Sequence, residues 1–123
     1  MGTVNTTVDF LARGSTPDEW KMVLVESGPW QGSLDPHLRN LQERLYGCVD
    51  AALDGQLAEQ FPESVGKSVV IQLDCYDLPK DEVQAFFTAF ADGVFSINDY
   101  QVALAETQFV KGISFAVTFD SIH

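Results

Sequence analysis

The segment from Lys67 to Tyr76 alternates hydrophobic and polar residues, and it is the clearest strand pattern in the chain. Successive side chains of a strand point to opposite faces of a sheet, so this strand has one apolar face and one mixed face. The segment from Gly112 to Asp120 alternates in the same way. Both segments therefore predict strands of a sheet that is buried on one face only.

A first helix is predicted between Asp35 and Gly55. Asp35 is a favourable N-cap, Pro36 suits the first helical position because the N–H that it lacks would have no partner there, and Gly55 is a natural C-terminal stop. The hydrophobic residues between them recur at steps of three and four, which places them on one face of a helix. These residues are Leu38, Leu41, Leu45, Cys48, Val49 and Ala52.

A second helix is predicted from Pro79 to Gly93. Asp81 and Glu82 lie in its first turn, where negative charge interacts favourably with the helix dipole. Its apolar face consists of Val83, Phe86, Phe87 and Phe90.

Four less regular segments complete the predicted order of elements. Val8–Leu11 and Trp20–Val25 predict two strands that can form a hairpin. Tyr100–Thr107 has a mixed pattern and predicts another strand, and Gln56–Gly66 predicts a connector because it holds a proline and a glycine.

The order β-β-α-β-α-β-β over residues 1–123 predicts a single α+β domain. The fold is predicted to be a two-layer sandwich, in which a mostly antiparallel sheet of about five strands carries two helices on one face. The other face of the sheet is predicted to be polar. Its residues are Lys21, Gln72, Asp74, Tyr76, Ser114 and Thr118.

Charge narrows the choice of partners. The chain has 18 acidic and 7 basic residues and a formal net charge of -11, so nucleic acid and anionic membranes would repel it. Two stretches contain no basic residue, Leu45–Gly66 and Asp81–Val110. Hydrophobic residues make up 46% of the chain, so a folded core is expected and the acidic residues belong to its surface. A basic protein is the partner that this charge favours.

The cysteines and the apolar segments indicate the cellular compartment of the protein. Cys48 and Cys75 lie in apolar segments and are predicted to be buried thiols, although a disulfide between them is an alternative. The first residues lack the basic and apolar regions of a signal peptide, and no apolar run approaches the length of a membrane span. We therefore expect a cytoplasmic protein.

Catalytic and metal-binding patterns are weak. His37 is expected in the first turn of a helix and His123 is the last residue, and neither stands in the context of a catalytic triad. Asp74, Asp77 and Asp81 cluster at a strand end and helix start, but they lack the spacing of a calcium loop. We expect no catalytic residue, no metal and no cofactor.

Short motifs resemble those of a family of small uncharacterised bacterial α/β proteins over residues 8–80. They are Val8-Asp9-Phe10, the loop around Trp30, His37-Leu38, Leu41-Gln42-Glu43, Asp54-Gly55-Gln56-Leu57, Phe61-Pro62, Gly66-Lys67 and Val69–Asp74. The segment after the second predicted helix departs from that pattern. The resemblance implies a fold and a bacterial origin but no reaction. In size and acidity the chain also resembles immunity proteins of bacterial toxin systems, which neutralise toxins.

The leading hypothesis is an acidic protein-binding module, such as an immunity protein that occludes a toxin. Trp30 is either a side chain that fixes its loop to the core or an exposed anchor for the partner. The alternatives are a small ligand-binding protein or enzyme with a cleft near Asp74–Asp81, and a homodimer formed through the uncovered sheet face or a free edge strand. The residues predicted to contact the partner are Glu26, Trp30, Asp74, Tyr76, Asp77, Asp81 and Glu82.

Overall fold

The computed structural model describes residues 10–14 and 16–120, and it has a mixed α/β fold with a four-stranded sheet. The strands are β1 (Phe10–Arg13), β2 (Glu19–Ser27), β3 (Lys67–Tyr76) and β4 (Val110–Asp120). The helices are α1 (Leu34–Asp54), α2 (Gln56–Gln60), α3 (Lys80–Gly93) and α4 (Asn98–Glu106). Short 3-10 turns cover Pro62–Ser64 and Val94–Ser96.

The sheet has the strand order β1-β2-β3-β4. The predicted hairpin is confirmed, because β1 pairs antiparallel with β2. Its first strand was predicted over Val8–Leu11, of which Val8 and Asp9 lie outside the described residues. The other two pairings, β2 with β3 and β3 with β4, are parallel. The prediction of about five mostly antiparallel strands is therefore wrong. The connections after β2 and β3 contain helices, and such crossovers return the chain to the same end of the sheet, which makes the strands parallel.

Residues 100–107 belong to α4 and its C-terminal cap, so the predicted strand over Tyr100–Thr107 is wrong. Tyr100, Ala103 and Leu104 are spaced as in a helix and pack against the core while remaining partly exposed. Tyr and Val are frequent in strands, but here the helical spacing of the core-facing residues decides the structure. The prediction of two helices is also wrong, because the described residues form four.

The end of α1 is confirmed and its start is corrected. Gly55 is the C-cap in the left-handed conformation, at φ 98°. Ser33 is the N-cap, so Asp35 lies in the first turn and does not cap the helix. Five of the six predicted core residues of this helix are fully buried, and Leu38 is half-buried. The predicted connector over Gln56–Gly66 contains α2, which buries Leu57 and Ala58.

One core joins the helices to one face of the sheet. Both crossovers run in the same direction across the sheet, and their usual right-handedness places their helices on the same face. The central strand β3 is buried most completely on this face, where Val69, Ile71 and Leu73 have 0% exposure. Cys48 and Cys75 are buried in the same core and form no disulfide. The strand register places the six predicted polar residues on the opposite face of the sheet.

Replacement of Gly55 by Ala is expected to destabilise the fold by about 1–2 kcal/mol, because φ at this position is left-handed. A Cβ atom there would also lie 2.9 Å from Cζ of Phe109. Gly93→Ala is the matched control, since Gly93 ends α3 at a negative φ with no atom within 4 Å of the added Cβ. Urea unfolding should show a lower midpoint for Gly55→Ala and an unchanged or higher midpoint for Gly93→Ala; equal midpoints for the two variants would contradict this account.

Candidate functional site

The seven residues predicted to contact a partner lie around one edge of the sheet. Because β2, β3 and β4 are parallel, their carboxyl ends meet at this edge. The chain leaves β2 toward the start of α1 and leaves β3 toward the start of α3. We call the residues there the carboxyl-edge surface: Glu26, Trp30, Asp74, Tyr76, Asp77, Asp81 and Glu82.

Glu26 of this surface forms an ion pair within the fold. Its carboxylate accepts a hydrogen bond from Nη1 of Arg44 on α1, and the same nitrogen donates to the carbonyl oxygen of Val25 at 3.3 Å. The two side chains are only 14% and 21% exposed. Glu26 therefore holds α1 against the end of β2, and its charge is balanced within the chain.

Cys75 lies opposite Glu26 in the register of β2 and β3. Burial, together with the negative charges of Glu26 and Asp74, raises the pKa of its thiol to about 12. A thiol in such surroundings stays protonated and is a poor nucleophile. Cys75 is therefore a core residue.

Trp30 is held against the protein. Its indole stacks on the imidazole of His37, with ring centroids 5.0 Å apart and planes 4° from parallel. Nε2 of His37 lies 2.7 Å from the carbonyl oxygen of Gln31. Trp30 also packs against the core and is only partly exposed. These contacts fix the loop after β2 to the first turn of α1.

Asp74 is part of a polar network on the second face of the sheet. Its Oδ1 accepts hydrogen bonds from Nε2 of Gln72 at 2.8 Å and from Oγ1 of Thr118 at 2.9 Å. The network links β3 to β4. Asp74 is therefore oriented by its neighbours, with its carboxylate still partly exposed.

The end of β3 lies close to the loop after β2. The N–H of Gly28 donates to the carbonyl oxygen of Tyr76 at 2.7 Å, and a Cβ atom on Gly28 would collide with the carbonyl oxygen of Asp77. Asp77 itself has a left-handed φ of 60°. Asp77, Asp81 and Glu82 are exposed, so they are the acidic residues of this surface that face solvent most fully.

The strand order argues against a ligand-binding crevice at the carboxyl-edge surface. Open α/β sheets bind ligands at the carboxyl ends of their strands where the strand order reverses, because helices on opposite faces leave a crevice there. The strands described here follow chain order from β1 to β4 without a reversal. The carboxyl-edge surface therefore lacks the topological basis for such a crevice.

A groove of about 400 Å³ lies elsewhere, between the end of α1, the start of α2 and α4. We call it the acidic groove. It combines apolar side chains with carboxylates. Its lining residues are Asp50, Leu53, Asp54, Gln56, Asp99, Tyr100 and Ala103.

Hydrogen bonds orient two of the groove's carboxylates. The hydroxyl of Tyr100 donates to Oδ1 of Asp50 at 2.8 Å, which connects α4 to α1. The backbone N–H and side-chain amide of Gln56 donate to Asp54 at 3.1 and 3.0 Å. Burial, together with the hydrogen bond to the Asp50 carboxylate and the negative charge of that group, raises the pKa of Tyr100 to about 12.

The acidic groove was not predicted, but the sequence held a signal for it. All seven lining residues fall within the two base-free stretches, Leu45–Gly66 and Asp81–Val110. No Lys or Arg is therefore among the lining residues. Residues 98–106 form a helix and not part of a strand, and this brings the second stretch beside the first.

The described residues contain no group of three or more His, Cys, Asp or Glu side chains arranged to hold a metal ion. None of the helices described is both long enough and apolar enough to cross a membrane.

These observations define a small acidic protein with a mixed α/β fold and a negatively charged groove. The chain belongs to DUF6572, a family of unknown function whose profile matches residues 3–108. The predicted resemblance to an uncharacterised family is thus confirmed, and the match extends beyond residues 8–80 to include α3 and α4. Comparison with curated proteins and with solved structures gives no match.

The bond between Tyr100 and Asp50 predicts a pH dependence. Tyrosine in an unfolded chain has a pKa of about 10. Since the pKa of Tyr100 in the folded protein is about 12, the folded state keeps its proton after the unfolded state has lost it. The stability that this group contributes is present below pH 10 and is lost as the pH rises from about 10 to 12.

Asp50→Asn is expected to lower the pKa of Tyr100, because it removes the anionic acceptor. Asp54→Asn, in the same groove, keeps that acceptor and serves as the control. Titration of tyrosinate absorbance should show one tyrosine that ionises late in the native protein and in Asp54→Asn, and earlier in Asp50→Asn. An identical titration of both variants would show that the Tyr100–Asp50 bond is not formed.

Proposed function

We propose that this protein binds a basic protein partner and that the acidic groove receives lysine or arginine side chains of that partner. The observation that carries this proposal is the convergence of the two base-free stretches on one groove. Three carboxylates, those of Asp50, Asp54 and Asp99, line it without a Lys or Arg among the lining residues. An overall charge of -11 supports attraction of the partner from a distance.

The lining residues suit a long cationic side chain. The methylene groups of a lysine or arginine can lie on Leu53, Ala103 and the ring of Tyr100, while the charged end reaches a carboxylate. Hydrogen bonds between ionised partners are stronger than those between neutral groups. The bonds that already orient Asp50 and Asp54 reduce the cost of ordering these acceptors on binding.

The carboxyl-edge surface is a second proposed contact area. Asp74, Asp77, Asp81 and Glu82 keep the role predicted for them, because each is at least partly exposed. Glu26 is less suited to it, since Arg44 balances its charge. Trp30 is also less suited, because it stacks on His37 and packs against the core.

The biological role that we propose is that of a bacterial immunity protein, which would neutralise a toxin by covering it. The three carboxylates of the acidic groove lie on helices α1 and α4, and rigid elements hold binding groups more precisely than loops do. Such a role requires binding and no catalysis. An enzyme or ligand-binding protein with a cleft at Asp74–Asp81 is a weaker candidate, because the acidic groove lies elsewhere.

Neutralisation of the acidic groove tests the proposal. The triple variant Asp50→Asn, Asp54→Asn, Asp99→Asn is expected to bind a fluorescein-labelled oligolysine peptide about tenfold more weakly at low salt, because three charge contacts are lost. Fluorescence anisotropy measures the affinity, and added salt should weaken binding to the native protein. Urea unfolding of each variant checks that the fold is retained.

The matched control is Glu43→Gln, Glu63→Gln, Asp92→Asn, which removes the same charge from exposed positions outside both acidic surfaces. It should bind oligolysine more tightly than the groove variant does. Equal weakening by both triples would show that only net charge matters. Binding that is unaffected by salt would refute the electrostatic mechanism.

The proposed partner is tested by co-expression with the product of a neighbouring reading frame that encodes a secreted toxin. The two proteins should co-purify at low salt and separate at high salt. Co-purification that is equally strong with the groove triple would exclude the acidic groove as the contact site for that partner.

A further inference from the structure

Strand β4 is a long edge of the sheet. It has eleven residues, Val110–Asp120, and within the part of the chain that the structure describes it pairs with β3 alone. Its outer side therefore presents backbone N–H and carbonyl groups that can pair with another strand. Among the described residues, the opposite edge strand β1 spans Phe10–Arg13.

The apolar side chains of β4 are incompletely covered. Ile113, Phe115, Val117 and Phe119 face the core, yet each remains partly exposed. Their register partners on β3 are at most 1% exposed. The rings of Phe87, Phe90 and Phe95 pack against Phe115 from the helix side. The exposed parts of these four β4 side chains thus form an apolar strip along the edge of the sheet.

The lack of acidic residues at positions 107–119 allows this edge to approach the same edge of a second copy. The chain has 18 acidic residues, but none lies between Glu106 and Asp120. The one charged residue at positions 110–119 is Lys111. Two chains of net charge -11 repel each other, but no acidic side chain at positions 107–119 adds to that repulsion where their β4 edges meet.

We propose that β4 pairs antiparallel with β4 of a second copy about a two-fold axis at Phe115, which joins the two sheets into one. Such an axis is perpendicular to the sheet, so each residue meets a partner on the same face of the sheet. Ile113 then lies opposite Val117 of the partner subunit. Ser114 lies opposite Ala116 of the partner subunit.

The sequence around Phe115 is self-complementary in this register. β-Branched residues meet each other, and small residues meet small residues, as cross-strand pairs favour. A two-fold interface requires such a self-complementary surface, which is why a second copy fits this edge better than an unrelated strand does.

Cysteine cross-linking tests this register. Opposite residues of an antiparallel pair have Cα atoms about 4.5–5.5 Å apart, within the range of a disulfide. A mixture of Ser114→Cys and Ala116→Cys proteins should form a cross-linked dimer on mild oxidation. Each variant alone should cross-link poorly, since like positions would lie about 8 Å apart. The native cysteines are buried and should not contribute.

Sedimentation equilibrium tests the dimer itself. Ser114→Lys is expected to weaken dimerisation about tenfold, because two lysines would enter the new strand pair. Thr88→Lys makes the same charge change at an exposed position on α3 and should leave dimerisation unchanged. Added salt should strengthen the native dimer by screening the repulsion between the two chains.

A native protein that stays monomeric at high concentration and high salt would overturn this proposal. So would cross-linking of Ser114→Cys alone as efficient as that of the mixture. The proposal is independent of the acidic groove, because salt is expected to weaken oligolysine binding and to strengthen dimerisation.

Discussion

The fold depends on the burial of β3 between two parallel neighbours. This strand is hydrogen-bonded on both sides, and Val69, Ile71 and Leu73 have no exposed surface. Parallel pairing on both sides requires two long crossovers, and the helices of these crossovers supply the rest of the core. The parallel arrangement also brings the ends of β2 and β3 to one edge and the acidic stretches to the helical layer.

Elements with a single strong periodicity were predicted well. Alternation over Lys67–Tyr76 corresponds to β3 at both ends, and the apolar stripe between Asp35 and Gly55 corresponds to α1 within two residues. Residues 100–107 were assigned wrongly because their pattern is mixed and no residue of α4 is fully buried. A helix that contributes little to the core leaves a weak periodic signal, so residue preferences misled the prediction.

The candidate site, like the fold, was predicted correctly only in part. The carboxyl-edge surface was predicted from acids beside a strand end and a helix start, and the parallel strands do gather those residues at one edge. Two of them have structural contacts that the sequence did not reveal, since Glu26 pairs with Arg44 and Trp30 stacks on His37. The acidic groove was missed because it is built from residues about 50 positions apart, as Asp50 and Tyr100 are. Local patterns carry no information about such distant contacts.

Residue identities alone establish the acidic charge, the absence of bases from two stretches, and the periodicity of the main strand and the long helix. These are properties of single residues or of neighbours along the chain. Long-range packing sets the direction of the strands, the helical state of residues 98–106, and the meeting of the two stretches in one groove. Strand direction depends on where a crossover returns the chain, and a groove depends on which helices pack side by side. Both follow from the burial of apolar faces across the whole domain, because that burial is the largest favourable term in folding.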